Sequence, residues 1–273
     1  MCAANRRIPP LATSDGWSCH ASGVGFESDL LSGSVVFITG AGGGIGSAAV
    51  RGFVAVGATV VAGTRGETSE FDDLPDVTSR AVDVTDEDSV EAAIRSALKE
   101  HNQLDAAVNL AGILPAPAGV AAMPLPDWER SLQVNLTDTM LCVKHEMRAM
   151  AERGGSIVNV ASSLGINMTR PNFAAYAVSK AGVHVLTEAA ALEGAPEGIR
   201  VNTISPGPVA TEMSKRPGET DSDRDSRAGA TVALNRVADP REIVNTLIWL
   251  ASPLSSFVTG HDLVVDGGQV LHR

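Results

Sequence analysis

Short apolar runs alternate with helical stretches along most of this chain, and that alternation constrains its fold more than any other feature. The apolar runs are VVFITG (35–40), ATVVAG (58–63), RAVDV (80–84), LDAAVNLAG (104–112), GSIVNVAS (155–162) and IRVNTIS (199–205). Parallel strands that are buried on both faces read as nearly continuous apolar segments, and the helices between them cover the two faces. The pattern therefore predicts an α/β fold built on a doubly wound parallel sheet.

Length and periodicity favour a single domain. With 273 residues the chain can bury one large α/β core but is short for two domains of that class. Residues 1–30 lack sustained periodicity, so we expect a flexible N-terminal extension, followed by one domain over residues 31–273. The polar stretch SKRPGETDSDRDSRAGA (214–230) predicts a mobile lid or loop.

Charge and the cysteine and histidine patterns argue against several classes of partner. Lys and Arg total 21 against 32 Asp and Glu, and the net charge of -11 disfavours nucleic acid and anionic membranes. The three cysteines lack CxxC spacing and the six histidines form no i, i+4 pair, so neither a disulfide framework nor a metal site is expected. No apolar run suits a membrane span or a signal peptide. A reducing cytoplasm is the expected compartment.

A glycine-rich turn follows the first strand directly and opens the first helix. In TGAGGGIG (39–46), small residues let backbone N–H groups approach a pyrophosphate at the positive end of the helix dipole. Alone, such a turn is as often a device for packing a helix against a strand. The TGxxxGxG spacing resembles the fingerprint of the short-chain dehydrogenases/reductases, a Rossmann-like family that uses nicotinamide cofactors. The resemblance implies cofactor contacts from Gly40, Gly42, Gly43, Gly44, Ile45 and Gly46.

The second strand ends at Thr64 and Arg65. NAD-selective relatives of this fold usually place an acidic residue here, on the adenosine ribose. Thr64 has no carboxylate to repel a 2'-phosphate, and Arg65 can donate charge-assisted hydrogen bonds to one. We therefore expect a preference for NADP(H), with NAD(H) as the other candidate cofactor. The alternative is that Arg65 is a solvated loop charge.

Two further segments resemble the family's cofactor contacts. Asp83 and Val84, at the end of the third strand, match its adenine contact. The NLAG sequence of residues 109–112 matches its NxAG segment, although relatives usually carry a second Asn where this chain has Leu. The residues of this segment that the resemblance places against the cofactor are Asn109, Ala111 and Gly112.

Tyr176, the only tyrosine of the chain, precedes Lys180 at i, i+4 spacing on a predicted helix. Reduction of a carbonyl leaves an alkoxide that must be protonated, so a tuned acid/base is required. A nearby lysine ammonium favours the phenolate and lowers the tyrosine pKa from its usual value of about 10. A lone YxxxK is usually just an exposed helix pair. Here it resembles the family's catalytic tyrosine and the lysine that also holds the nicotinamide ribose.

The strand GSIVNVAS runs into Ser162 and Ser163, at the sheet edge where a hydroxyl can bind the substrate oxygen. In the family the catalytic serine precedes a loop glycine, as Ser162 precedes Gly165, whereas Ser163 preserves the usual spacing to the tyrosine. We choose Ser162 and keep Ser163 as the alternative.

Asn135 resembles the family's fourth catalytic residue, an Asn in a local helix distortion that supports a proton-relay water. Without the resemblance it is equally a helix-interior amide.

The segment NTISPGPVAT (202–211) resembles the loop that holds the carboxamide end of the cofactor. Its backbone at Val209 and its hydroxyl at Thr211 are the implied contacts, and Pro206 and Gly207 fix the shape of such a loop. Taken singly, these residues also fit an ordinary strand-exit turn. The closing VDGG (265–268) matches a strand that packs subunits in relatives, so a homotetramer is implied by resemblance only.

These signals occur in the family's order and predict an NADP(H)-preferring enzyme that transfers a hydride between the cofactor and a small ketone or secondary alcohol. One alternative is reduction of a 3-oxoacyl thioester on an acidic carrier protein, met by a basic face of Lys144, Arg148 and Arg153. Another is a cofactor-binding regulator or scaffold without turnover. The loop after Gly165 and the segment 212–231, where specificity is expected to lie, carry no motif.

Overall fold

A computed structural model describes residues 26–272, whose centre is a seven-stranded sheet. The strands are β1 (Val35–Thr39), β2 (Thr59–Thr64), β3 (Val77–Ala81), β4 (Ala106–Asn109), β5 (Gly155–Val160), β6 (Ile199–Pro206) and β7 (Asp262–Val265). Neighbouring strands pair in parallel in the order β3-β2-β1-β4-β5-β6-β7. The predicted doubly wound parallel α/β fold is confirmed.

Helices cover both faces of the sheet. They are α1 (Gly44–Ala55), α2 (Glu87–His101), α3 (Leu125–Leu132), α4 (Asp138–Met150), α5 (Ala174–Gly194), α6 (Asp221–Gly229) and α7 (Pro240–Ala251). Helices α1 and α7 pack on one face, and α2, α4 and α5 pack on the other. Within residues 26–272, none of the helices is both long enough and apolar enough to cross a membrane.

The central strand shows why the strands read as continuous apolar runs. Successive side chains of a strand point to opposite faces. Val36 and Ile38 of β1 join the core beneath α1 and α7, whereas Val35 and Phe37 join the core beneath α2, α4 and α5. Each of the four is at least 96% buried because its exposure is 4% or less. A strand covered on both faces therefore takes apolar side chains at successive positions, and a polar one only where it has a hydrogen-bond partner.

The strand order reverses between β1 and β4. From β1 the chain moves outward to β2 and β3, then returns to β4 on the other side of β1 and continues to β7. Loops that leave adjacent strands in opposite directions open a crevice at the carboxyl edge of the sheet. Most of the predicted site residues follow the ends of β1, β2, β3, β4, β5 and β6, and they therefore gather along this edge.

Two segments differ from the sequence-based expectation. The third strand covers residues 77–81 instead of 80–84, since at the sheet edge its partly exposed side chains need not be apolar. The segment 214–230, predicted as a mobile lid or loop, contains α6. A capping box between Thr220 and Asp223 starts this helix, and ion pairs such as Arg227 with Glu219 replace apolar packing.

The described chain is already packed at its first residues. Phe26 and Leu30, which the sequence assigned to a flexible extension, contact the core beneath α1, and Leu31 is buried. The packed body of the domain therefore includes residues before Leu31. Residues 1–25 of the predicted extension lie outside the described residues.

Candidate active site

A cavity of about 490 Å³ opens at the carboxyl edge of the sheet, where β1 and β4 diverge. It is bounded by the glycine-rich turn, by the loops after β4, β5 and β6, and by the start of α5. The predicted site residues that line it are Gly40, Gly42, Gly43, Gly44, Ile45, Gly46, Gly112, Ser162, Tyr176, Lys180, Pro206, Gly207, Val209 and Thr211. Most of the predicted site therefore meets in one cavity.

The glycine-rich turn approaches the loop after β4 too closely for side chains. Gly40 has a φ of +68°, and a Cβ there would lie 2.7 Å from the backbone nitrogen of Ala111. A Cβ at Gly44 would lie 2.7 Å from the Thr211 methyl carbon. Glycine at these positions brings backbone of the turn, of the β4 loop and of the β6 loop together on the cavity wall.

The first turn of α1 is suited to a phosphate group. Gly43 precedes the helix without a side-chain cap, and the first turn carries no acidic residue. Backbone N–H groups and the positive end of the helix dipole therefore face the cavity at Gly44, Ile45 and Gly46 without a competing carboxylate. This chemistry fits the pyrophosphate of a dinucleotide cofactor.

Tyr176 and Lys180 lie one turn apart on α5 and face the same cavity. The Lys180 Nζ lies 6.0 Å from the centre of the Tyr176 ring and donates to the Val160 carbonyl at 2.8 Å. The Ser162 side chain lies close enough to the Tyr176 hydroxyl to lower the pKa of that phenol. The Ser162 hydroxyl, the Tyr176 phenol and the Lys180 ammonium thus lie close together at the end of β5.

Burial decides the pKa of both helix residues. It raises the pKa of Tyr176 above the usual 10, and the nearby Ser162 hydroxyl opposes this rise. It lowers the pKa of Lys180 to about 8. The net shift of the tyrosine pKa is therefore upward and not downward as predicted, because desolvation disfavours the charged form of both groups.

Ser162 and Ser163 both line the cavity but make different contacts. The Ser163 hydroxyl is buried and donates to Gln269 Oε1 at 2.8 Å, and Gln269 in turn donates to Thr231. The Ser162 hydroxyl accepts from the backbone N–H of Leu164, and it lies close enough to the phenol to lower its pKa. Of the two serines, Ser162 is therefore the one that acts on the tyrosine.

Asn135 lies in a π-helical turn, Gln133–Thr137, between α3 and α4. Its side chain is fully buried and bridges two elements. The Oδ1 atom accepts from the Ile113 N–H at 2.8 Å, and Nδ2 donates to the Ile113 carbonyl at 3.0 Å and to Ser179 Oγ at 3.1 Å. The turn supplies the local helix distortion that the resemblance implied, and it ties the loop after β4 to α5.

The residues expected to contact the adenosine half lie outside the cavity lining. Arg65 is exposed after β2, and the buried Thr64 donates its hydroxyl to the Gly66 carbonyl at 2.6 Å. The side chain and backbone N–H of Thr85 donate to Asp83, and with nearby Arg65 they hold the pKa of Asp83 below its usual range. Val84, after β3, packs at the border of the α2 core.

Asn109 lies beneath the cavity, in a buried polar chain, and does not line it. Its Nδ2 donates to Glu146 Oε2 and to Asn159 Oδ1, both at 2.9 Å. Asn159 donates to Thr187 at 2.9 Å, and Thr203 donates to Thr187 at 2.7 Å. These bonds join β4, β5, β6, α4 and α5. Asn109 therefore holds the sheet together behind the loop that carries Ala111.

Glu146 ends this chain with a buried carboxyl group that has one bonded oxygen. Its Oε2 accepts from Asn109, whereas Oε1 has no hydrogen-bond partner within residues 26–272. Burial raises the pKa of Glu146 to about 8. The protonated form is therefore favoured in the folded protein at neutral pH.

Several cavity residues have no counterpart in the sequence-based prediction. Ile113, Leu114, Leu164, Phe173 and Met213 add apolar side chains to the cavity lining, and Arg170 and Gln269 add polar groups. They lie in irregular loops or near helix starts, where apolar side chains repeat with no period. Within residues 26–272, no group of three or more His, Cys, Asp or Glu side chains is placed to hold a metal ion.

Known proteins match this chain over most of its length. A family model described as enoyl-(acyl carrier protein) reductase matches residues 40–269. The cis-4-hydroxycyclohexanecarboxylate dehydrogenase of Sinomonas cyclohexanicum is 39% identical over 86% of this chain and 95% of its own. The 3-oxoacyl-(acyl-carrier-protein) reductase of Thermotoga maritima is 35% identical over 88% of this chain and 99% of its own.

A solved structure agrees with these matches. The short-chain type dehydrogenase/reductase from Mycobacterium marinum superimposes with a TM-score of 0.80 at 33% identity, covering 88% of this chain and 96% of its own. Together with the cavity, these matches define a nicotinamide-dependent oxidoreductase acting on CH–OH or C=O groups. The chain belongs to the short-chain dehydrogenase/reductase family.

The buried carboxyl group of Glu146 makes stability depend on pH. Its pKa rises from 4.5 in the unfolded chain to about 8 in the folded one, so the folded state binds more protons in this window. The free energy of unfolding should therefore fall as pH rises from 5 to 8, by at most about 1.4 kcal/mol per pH unit from this group. Glu146→Gln should remove that slope in urea unfolding, since the amide keeps the shape without titrating.

Other carboxyl groups also titrate in this range, so the measured quantity is the difference in slope between wild type and Glu146→Gln. Glu91→Gln, at an exposed position on α2, is the matched control and should keep the slope of the wild type. Identical slopes in all three proteins would show that Glu146 is ionised in the folded state.

Proposed function

We propose that this protein is an NADP(H)-preferring oxidoreductase that interconverts a ketone and a secondary alcohol on a small, largely apolar substrate. The observation that carries the proposal is the meeting of Ser162, Tyr176 and Lys180 in one cavity with the uncapped start of α1. The family membership supplies the reaction class. The family membership also favours an enzyme over a regulator that binds the cofactor without turnover.

A bound nicotinamide cofactor supplies or accepts the hydride. Ser162 holds the substrate oxygen by a hydrogen bond and polarises it. Tyr176 donates its phenolic proton to the oxygen as the carbonyl is reduced and takes it back in the oxidative direction. Lys180, protonated below a pH of about 8, stabilises the phenolate that forms. Asn135 fixes the loop after β4 against α5 and is proposed to anchor the water relay.

The cavity walls support an apolar body for the substrate. The side chains of Ile113, Leu164 and Phe173 line the same cavity as Tyr176 and offer no hydrogen bonds to a polar substrate. The relative from Sinomonas cyclohexanicum, named for a hydroxylated cyclohexane, is consistent with an alcohol borne on a ring. We therefore propose a cyclic secondary alcohol or ketone as the substrate class.

Reduction of a 3-oxoacyl group on a carrier protein is the second candidate. The relative from Thermotoga maritima and the description of the family model favour it. Against it, the basic face proposed for the acidic carrier is partly neutralised, because Lys144 forms an ion pair with Glu87. Arg153 donates to Gln103, and Arg148 alone of the three has no such bond to a residue of the described range 26–272. The free ketone therefore remains the first candidate.

Arg65 supports the preference for NADP(H). It follows β2 beside the glycine-rich turn, where the Thr64 methyl carbon would lie 3.7 Å from a Cβ at Gly42. No carboxylate within residues 26–272 forms an ion pair with Arg65, so its guanidinium is available to a 2'-phosphate. We propose Thr64, Arg65, Asp83 and Val84 as the adenosine end of the cofactor site.

We also propose a homo-oligomer, with a tetramer as the state the family implies. Val178, Val185 and Leu192 repeat every seven residues on α5 and are 47%, 60% and 79% exposed in the single chain. Such an apolar stripe on a long helix is suited to a second copy of the same helix. The free, buried thiol of Cys142 suits a reducing cytoplasm, which we propose as the compartment.

Tyr176→Phe tests the catalytic assignment. Removal of the hydroxyl leaves the ring and its packing but no proton donor, so turnover of ketones should fall by about a hundredfold to ten-thousandfold. Cofactor affinity, measured by fluorescence titration, should stay within a factor of about three because the variant keeps the walls of the cavity. Turnover at the wild-type rate in Tyr176→Phe would remove the phenol from the mechanism.

Arg65→Ala tests the cofactor assignment. Wild type should bind NADPH more tightly than NADH, and the variant should lose about tenfold to a hundredfold in NADPH affinity alone, as expected for a charged hydrogen bond. Arg95→Ala, an exposed arginine on α2, is the control of equal charge. Tighter binding of NADH by wild type, or an equal loss with both cofactors in Arg65→Ala, would contradict the preference for NADP(H).

Val185→Asp tests the α5 stripe. A buried aspartate at a two-fold contact would meet its own copy, so the variant should shift the mass measured by light scattering towards the monomer. Val185→Thr, which keeps the size of the side chain, should retain the oligomer. A wild-type protein that is monomeric at micromolar concentration would exclude the proposed assembly.

A further inference from the structure

Arg170 is a charged group on the cavity wall that the proposed reaction does not use. The cavity lining contains three charged side chains: Arg170, Lys180 and Glu212. Glu212 forms an ion pair with Lys215, and Lys180 donates a hydrogen bond to the Val160 carbonyl at the end of β5. The guanidinium of Arg170 has no hydrogen bond or ion pair within residues 26–272.

The position of Arg170 relates it to the reacting groups. It lies in the loop that joins β5 to α5, between Ser162 at the start of that loop and Tyr176 in the first turn of the helix. Its backbone carbonyl accepts from the Phe173 N–H at 3.3 Å, which places it in a turn just before α5. Arg170 is partly buried and lines the same cavity as Phe173 and Tyr176.

An unpaired guanidinium beside apolar walls is unusual for this molecule. The chain carries a net charge of -11, and several other arginines bind a carboxylate. The partly buried Arg200 binds none, but its guanidinium donates to the carbonyls of Leu250, Ser252 and Val258. Arg224 pairs with Asp225, and Arg227 pairs with Glu219. A guanidinium is planar and donates two parallel hydrogen bonds, which matches a carboxylate.

We propose that Arg170 binds a carboxylate of the substrate, so that the natural substrate is a hydroxy acid or oxo acid with an apolar body. This inference rests on the proposed function, because the alcohol or ketone carbon must lie at Tyr176 while the carboxylate lies at Arg170. The carboxylate takes no part in bond making. It fixes the position of the substrate and selects anions from the neutral alcohols that the apolar walls would also accept.

Binding tests the anion site independently of turnover. Cyclohexanecarboxylate and its uncharged analogue cyclohexanecarboxamide are titrated calorimetrically into the protein with saturating NADP⁺. Wild type should bind the acid roughly tenfold to a hundredfold more tightly than the amide. Arg170→Met, which keeps the apolar stem, should abolish that difference, Arg170→Lys should retain part of it, and the charge-matched control Arg95→Met should retain all of it.

Turnover measurements then test whether the anion site at Arg170 binds the same substrate molecule that reacts at Tyr176. With 4-oxocyclohexanecarboxylate and 4-oxocyclohexanecarboxamide as paired substrates and NADPH as the reductant, the ketone gains a hydride and a proton and NADPH becomes NADP⁺. Arg170→Met should raise the KM for the acid by roughly tenfold to a hundredfold, with little change in kcat, and should leave kcat/KM for the amide within about threefold. That unchanged amide activity also shows that the variant is folded.

The two measurements separate failure of the anion site from failure of the proposed reaction. Equal binding of acid and amide by wild type, or equal losses for both in Arg170→Met, overturns the role of Arg170 even if ketones are reduced. Selective binding of the acid that depends on Arg170 supports the anion site, and the absence of any ketone reduction beside it would count against the proposed function alone.

Discussion

The close approach of two loops determines where this protein can bind anything. The strands β1 and β4 leave the sheet side by side, and at Gly40 the first loop passes the second with no space for a Cβ, which would lie 2.7 Å from the Ala111 nitrogen. Since the chain turns away in opposite directions beyond this contact, a crevice opens between the loops. The start of α1, the end of β5 and the first turns of α5 all face it.

Polar groups that are buried around the crevice hold its walls in place. Asn135 joins the loop after β4 to α5. The hydrogen bonds that run from Glu146 through Asn109 and Thr187 to Thr203 join three strands and two helices. Buried hydrogen bonds of this kind require specific partners, so they specify one arrangement where apolar packing alone accepts several. Lys180 is also a buried polar group with a specific partner, because its ammonium donates to the Val160 carbonyl. Burial lowers the pKa of this ammonium.

Much of this arrangement was predictable from the sequence, because its signals are local. Buried parallel strands read as apolar runs, and the glycine turn, the Tyr176 and Lys180 pair and Ser162 occur at fixed positions after them. The prediction was weaker where a property of a residue depends on contacts with residues far away in the sequence. The direction of the Tyr176 pKa shift depends on burial, and Asn109 points into a network whose other members lie far along the chain.

Helix α6 was missed for a related reason. Its residues are almost all polar, so no periodic apolar face indicates a helix, and its stability comes from a capping box and ion pairs. Arg170 was missed because a lone arginine in an irregular loop follows no pattern. Only the folded chain shows that it lines the same cavity as Tyr176 and that its guanidinium has no partner within residues 26–272.

The construction of α6 also separates two properties that are coupled in most enzymes, namely the choice of substrate and the stability of the fold. Arg224 and Arg227 attach the helix to the backbone at Thr211 and Ser214, beside the cavity, and few of its side chains enter the apolar core. Substitutions in this border of the cavity can therefore accumulate without loosening the sheet on which the reacting groups stand. In evolutionary terms, the range of accepted molecules can diverge in this lineage while the reaction itself is conserved.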